Sequence, residues 1–202
     1  MRVRKFCLRG FCARVILIPE TDTFSGRETD IYEVLKAIAD RRSIRSYTDE
    51  PVSDEMLKKL IDAAEQAPSA MNRQPIHFTF VRDKAILKAF SDEARAHLSD
   101  PSMDILCGSK LVCFLFAEIP GVFTPIDAGI AVENLALAAH DLELGSVILG
   151  MPREAFTGDR AAYWYETLHA PAGSEFAIAI GIGHPAASKE AHPVREGLIT
   201  IL

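Results

Sequence analysis

The run Lys110-Leu111-Val112-Cys113-Phe114-Leu115-Phe116-Ala117 restricts this chain more than any other stretch. After its first residue it contains no polar side chain to turn toward water. A strand of this kind is buried on both faces, so it must lie centrally in a sheet that is covered on each side. A second apolar stretch supports this. From Ala128 to about Leu142 the chain is rich in Ala and Leu, and Asp127 stands at its start. Its spacing predicts a helix with most of its circumference buried, against a core and a subunit interface together. Glu133, Asn134 and His140 are its polar exceptions.

The remaining elements follow in order. Ile31, Val34, Leu35 and Ile38 recur at helical spacing, with Asp30 as a plausible cap and an end near Asp40. Ser53 caps a second helix with Asp54 and Glu55 in its first turn, where the helix dipole favours acids. That helix stops at Pro68. His77 to Val81 and Phe176 to Ile182 read as strands, Ser146 to Gly150 as a short extended piece, and Lys84 to Leu98 and Arg153 to Leu168 as helices.

Composition narrows the function classes. The chain has 202 residues, 49% of them hydrophobic and 25% charged, which suits one globular domain. Its net charge of -6, with no long basic block after residue 45, argues against nucleic acid as a partner. No apolar run is long enough for a membrane span. The pairs Cys7/Cys12 and Cys107/Cys113 lack zinc-knuckle spacing and read as incidental thiols in a reducing cytoplasm. No metal site is expected. Residues 1–29 differ in kind: the first fourteen hold five basic residues and no acid. Arg9 and Arg14 interrupt what a signal peptide would need as a clean apolar stretch. This segment is expected to be an extension or arm, with residues 30–202 forming the domain.

Two stretches carry chemistry. Arg41-Arg42-Ser43-Ile44-Arg45-Ser46-Tyr47 holds three guanidinium groups in seven residues. If it is extended, Arg41, Ser43 and Arg45 share one face. Two forked donors with a hydroxyl between them suit a phosphate. The plainer alternative is that arginines after a helix only complement its dipole. Pro68-Ser69-Ala70-Met71-Asn72-Arg73-Gln74-Pro75 is a polar loop bracketed by prolines. Its side chains suit either a turn or uncharged contacts to a ligand. Motifs for a nucleophile elbow, a phosphate loop, a zinc protease and a dinucleotide fingerprint are absent.

The ordered set formed by the Arg41–Tyr47 run, the Pro68–Pro75 loop, Pro125-Ile126-Asp127-Ala128-Gly129, Leu144-Gly145-Ser146 with Gly150, and Gly181–Pro185 resembles the FMN-dependent nitroreductases over roughly residues 31–200. The resemblance implies an α+β fold, with a mixed central sheet surrounded by helices and FMN clefts at a homodimer interface. By position, Arg41, Arg42, Ser43 and Arg45 resemble the group that binds FMN phosphate and ribityl. Pro68, Ser69 and Asn72 resemble a loop reaching the flavin from the other subunit. Ile148, Leu149 and Gly150 resemble the segment under the ring, and Arg195 the C-terminal cation over the phosphate. NADH or NADPH would be the electron donor, and a nitroaromatic or quinone the small-molecule acceptor. The flavin carries that chemistry, so no catalytic side chain is nominated. Two departures bear on substrate choice. Ile148-Leu149 stands where many relatives have bulkier or acidic residues, and no long insertion offers a lid. A same-fold enzyme for dehalogenation or flavin fragmentation, or a flavin-binding redox sensor, is the alternative.

Overall fold

The computed structural model describes residues 33–98, 100, 102–118 and 121–202. The expectations for residues 1–29 and for Asp30 as a cap lie outside the described residues. Nine main elements follow: α1 (Glu33–Asp40), α2 (Asp54–Glu65), β1 (Ile76–Val81), α3 (Lys84–Ala96), β2 (Leu111–Ala117), α4 (Thr124–Asp141), β3 (Gly145–Leu149), α5 (Ala161–Thr167) and β4 (Glu175–Gly183). Short 3-10 turns occupy Ala70–Asn72 and Met151–Phe156.

The sheet order is β1-β2-β4-β3, so β2 and β4 are central. Every residue of β2 is buried, as its composition demands. Alternation divides its side chains between two cores. Val112, Phe114 and Phe116 face one side, where Phe90 of α3 and Trp164 of α5 complete an aromatic cluster. Phe90 meets Phe114 and Trp164 edge-on at centroid distances of 4.9 and 5.0 Å, a geometry that matches ring edges to ring faces. Leu111, Cys113 and Leu115 face the other side, against Leu60 of α2 and Leu135, Ala136 and Ala139 of α4.

The family-like α+β architecture is present, but all neighbouring strands pair antiparallel. Among the described residues the parallel component of the expected mixed sheet is the isolated Ser43–Ser146 bridge. Two helix expectations also change. The helix expected over Arg153–Leu168 is a 3-10 turn and a separate α5, broken around Gly158. Gly158 lies against the His97 ring, with an added Cβ 2.6 Å from it, so a side chain there would require the ring to move. In turn, α4 begins at Thr124, before Asp127. Pro125 suits a first helical turn, because its missing N–H has no partner to lose there. Asp127 therefore sits inside the helix and is free to bond elsewhere.

Candidate functional site

The helix α1 ends when Arg41 N donates to Ala37 O, and the Arg41–Tyr47 run then continues extended. It is stitched down at both ends. Ile44 N donates to Ser146 O at 2.9 Å, and the Ile44 side chain packs on Gly145, where a Cβ would come within 3.0 Å. At the far end Thr48 N donates to His184 O and Ala186 N to Ser46 O, both at 2.9 Å. The Tyr47 ring covers Gly183, and its hydroxyl donates to Ile44 O at 2.7 Å. Burial pushes this hydroxyl well above its usual pKa, so it remains a donor.

The three arginines have different settings. Arg41 Nε lies 3.3 Å from Glu133 Oε1 of α4. Arg42 donates through Nη1 to Ala39 O at 2.7 Å and Arg41 O at 2.9 Å, capping the end of α1. The helix-end alternative thus describes Arg42, though its buried Nε has no hydrogen-bond partner among the described residues. Arg45 is exposed and forms no ion pair among the described residues; Ser43 likewise has no side-chain partner there. Arg41, Arg42, Ser146, His140 and Lys189 line a cleft of about 610 Å³.

Pro68, Ser69 and Gln74 line a second cleft of about 610 Å³, with Asp127, His77 and Phe78. Ser69 Oγ accepts from Gln74 N at 2.8 Å, and Gln74 Nε2 donates to Asn72 Oδ1 at 3.1 Å. Met71, Asn72 and Gln74 all have positive φ, of 54°, 53° and 49°. Three such residues in four positions mark a strained loop, and strain of this kind gathers at ligand sites. The arginine run and this loop do not share a cleft within one chain.

Ile148, Leu149 and Gly150 end β3 and line neither of these clefts. Ile148 is 40% exposed, Leu149 is turned into the core and Gly150 is open, with nothing within 4 Å of an added Cβ. Arg195 lies in the exposed tail and lines neither. Sequence reasoning used none of Glu133, Asp127, Gln74 and Tyr47 as site residues. Glu133 and Asp127 were visible as charges on an apolar helix. Gln74 and Tyr47 lay inside the two singled-out stretches.

The thiols play a quieter part. Cys113 is buried within β2, and burial raises its pKa. Cys107 is half-buried; burial raises its pKa first, then the Asp104 charge, with Arg45 opposing. Among the described residues no cluster of three His, Cys, Asp or Glu could hold a metal, and no helix is long and apolar enough to cross a membrane.

The sequence model of the nitroreductase family matches residues 38–184, from the end of α1 through the whole sheet. The chain belongs to the nitroreductase family. An Archaeoglobus fulgidus protein provisionally named an NADH dehydrogenase/NAD(P)H nitroreductase is 36% identical over 162 residues, covering 78% of this chain and 88% of that one. An FMN reductase [NAD(P)H] of Bacillus subtilis is 34% identical over 146 residues, which is 60% of this chain and 55% of that one. Among solved structures, a Desulfitobacterium hafniense nitroreductase with bound FMN superposes with a TM-score of 0.80 at 29% identity, covering 85% of this chain and 99% of that one. This nitroreductase-family chain therefore shares its fold with an FMN-bound nitroreductase over almost the whole of that chain.

Proposed function

We propose that this nitroreductase-family protein is an FMN-dependent oxidoreductase that passes electrons from NADH or NADPH to a nitroaromatic or quinone-type acceptor. The observation that carries this is the donor set on the arginine run. The side chains of Arg45 and Ser43 have no hydrogen bond or ion pair among the described residues, and both are held on a segment pinned at each end. Unpaired guanidinium and hydroxyl groups fit a phosphate and a polyol chain. Bound FMN would accept two electrons from the nicotinamide and return them to the acceptor. The protein's part is to bind, orient and screen. Arg41, Arg42, Ser43 and Arg45 would hold the phosphate end, and Ile148, Leu149 and Gly150 would contact the ring. One open face would serve donor and acceptor in turn, giving ping-pong kinetics.

The same reading includes a homodimer. Val34, Leu35 and Ile38 of α1 are 67%, 60% and 53% exposed, and Ile126 and Ile130 lie open on α4. The tail adds Leu198, Ile199, Ile201 and Leu202, all exposed. Exposed large apolar side chains on two helices and the tail fit a surface that a second copy would cover. The separation of the two clefts supports the same view. Pro68, Ser69 and Asn72 of the partner subunit would complete the site begun by the Arg41–Arg45 run, of which Arg41 and Arg42 line the cleft, and Arg195 would place positive charge over it. The same reading assigns the protein to the cytoplasm and the FMN-binding domain to residues 30–202.

The visible spectrum of the purified protein tests cofactor binding. Anaerobic mixing of the flavin-loaded protein with NADH and NADPH tests the reaction. Bleaching within minutes is expected. If dithionite bleaches the flavin and neither nucleotide does, the protein is a flavin binder or serves a specialised substrate.

A further inference from the structure

We propose that Asp127 is a positioning residue. Its buried carboxylate fixes the Pro68–Pro75 loop in the shape that its contacts to FMN require. The inference rests on the FMN reading above and adds a residue that acts through the loop it holds.

Asp127 is 4% exposed, and its Oδ1 accepts from Ala70 N at 3.0 Å across 57 positions of sequence. It sits on α4, where Ala128, Ala131 and Leu135 are buried, so its anchor is rigid. The loop it holds is not a relaxed one. Met71, Asn72 and Gln74 occupy the left-handed region, where a Cβ crowds the following carbonyl. Such a conformation persists only when its surroundings over-determine it.

The other bonds of this turn close on the turn itself. Asn72 N donates to Ser69 O, Arg73 N to Ala70 O, Gln74 N to Ser69 Oγ and Gln74 Nε2 to Asn72 Oδ1. Among the described residues, the bond from Ala70 N to Asp127 is the hydrogen bond that ties residues 69–74 to the rest of the chain. The loop's far end is fixed separately, because Glu118 N donates to Pro75 O at 2.9 Å, so without Asp127 the turn keeps its internal bonds and that end but loses its tie to α4. A charged acceptor holds an amide more strongly than a neutral one, and a buried site strengthens it further. The loop is therefore set before the ligand arrives, and binding does not have to supply the ordering.

The test is FMN titration of apoprotein, followed by flavin fluorescence, for wild type, Asp127→Asn, Asp127→Ala and Asp127→Ala with Met71→Gly. Asn keeps an acceptor oxygen, so Asp127→Asn should bind within a few-fold of wild type. Asp127→Ala should weaken binding by about tenfold or more, the loss expected for one charge-assisted bond. Glycine relieves the left-handed penalty at residue 71, so the double variant should regain part of that affinity. A merely structural aspartate would lower the melting temperature without this pattern in affinity. Wild-type affinity in Asp127→Ala, equal loss in Asp127→Asn, or no recovery with Met71→Gly would each overturn the proposal. If Asp127→Ala does not fold, Asp127→Ser takes its place, with the same outcomes. A wild-type protein that binds no FMN would refute the functional reading instead, before any variant is compared.

Discussion

Gly181 of β4 lies under Ser109, and Gly181→Ala should destabilise the fold by an amount that the structure sets. An added Cβ would stand 2.0 Å from Ser109 Oγ, 2.9 Å from Ser109 Cβ and 3.2 Å from Leu149 Cδ1. The serine cannot swing away freely, because its hydroxyl donates to Leu106 O at 2.5 Å in a buried setting. Overpacking costs about 1–3 kcal/mol, and a lost buried hydrogen bond about 1–2 kcal/mol. The two together give about 2–5 kcal/mol. The assay is urea unfolding at fixed protomer concentration, since a dimer's stability depends on it. Ser109→Gly alone should cost about 1–2 kcal/mol, for the bond and the orphaned carbonyl. In that background Gly181→Ala should cost less than about 1.5 kcal/mol, so the two changes should couple strongly. A Gly181→Ala protein within about 0.5 kcal/mol of wild type, or a double variant whose losses simply add, would refute the packing argument.

Arg45→Ala should weaken FMN binding by about 1.5–3 kcal/mol, the scale of one charged hydrogen-bonding contact, in the same fluorescence titration; unchanged affinity would reduce Arg45 to a surface charge. Tyr47→Phe removes the hydroxyl that donates to Ile44 O and should cost about 1 kcal/mol. The folded pKa of Tyr47 is raised above the ordinary 10.0. Its contribution is therefore intact below pH 10.0 and falls as pH rises further, because the unfolded tyrosine ionises first. Cys107 and Cys113 add the same sign of slope from 9.0 upward in both proteins, so Tyr47→Phe should lose stability less steeply above pH 10.0. Equal slopes would mean that Tyr47 is not protected by the fold. Sedimentation at micromolar concentration should give a dimer, and removal of residues 1–28 should leave FMN binding intact; a flavin-loaded monomer, or apoprotein after the deletion, would count against the assembly and the domain boundary respectively.

Elements governed by local pattern were legible in the sequence. The apolar run of β2, the Ser53 cap, which accepts from Met56 N at 3.2 Å, and the stop at Pro68 all depend on neighbours in the chain. The broken helix at 153–168 was not legible, because Gly158 packs against the ring of His97, a neighbour some sixty positions away that only the fold brings close. The arginine run stood out as charge, but charge density could not divide its work. Arg42 caps α1 while Arg45 is left without an acid, and only the backbone path decides which is which. The roles of Asp127 and Glu133 depend on Ala70 and Arg41, partners that only packing brings within reach. Strain at Met71, Asn72 and Gln74 has no signature in residue type alone, since none of them is glycine.

The helix α4 touches the arginine run through Glu133 and the polar loop through Asp127, six residues or about 9 Å apart along its axis. In the proposed homodimer those two contacts would serve opposite clefts, so each cleft would be written half in one copy of the gene and half in the other. Two defective alleles should then complement each other. A chain lacking Arg45 and a chain lacking Ser69 and Asn72 would each assemble into a dimer with both clefts damaged. Co-expressed, they would pair across alleles in about half of the dimers, and every mixed dimer would contain one cleft with both defects and one with none.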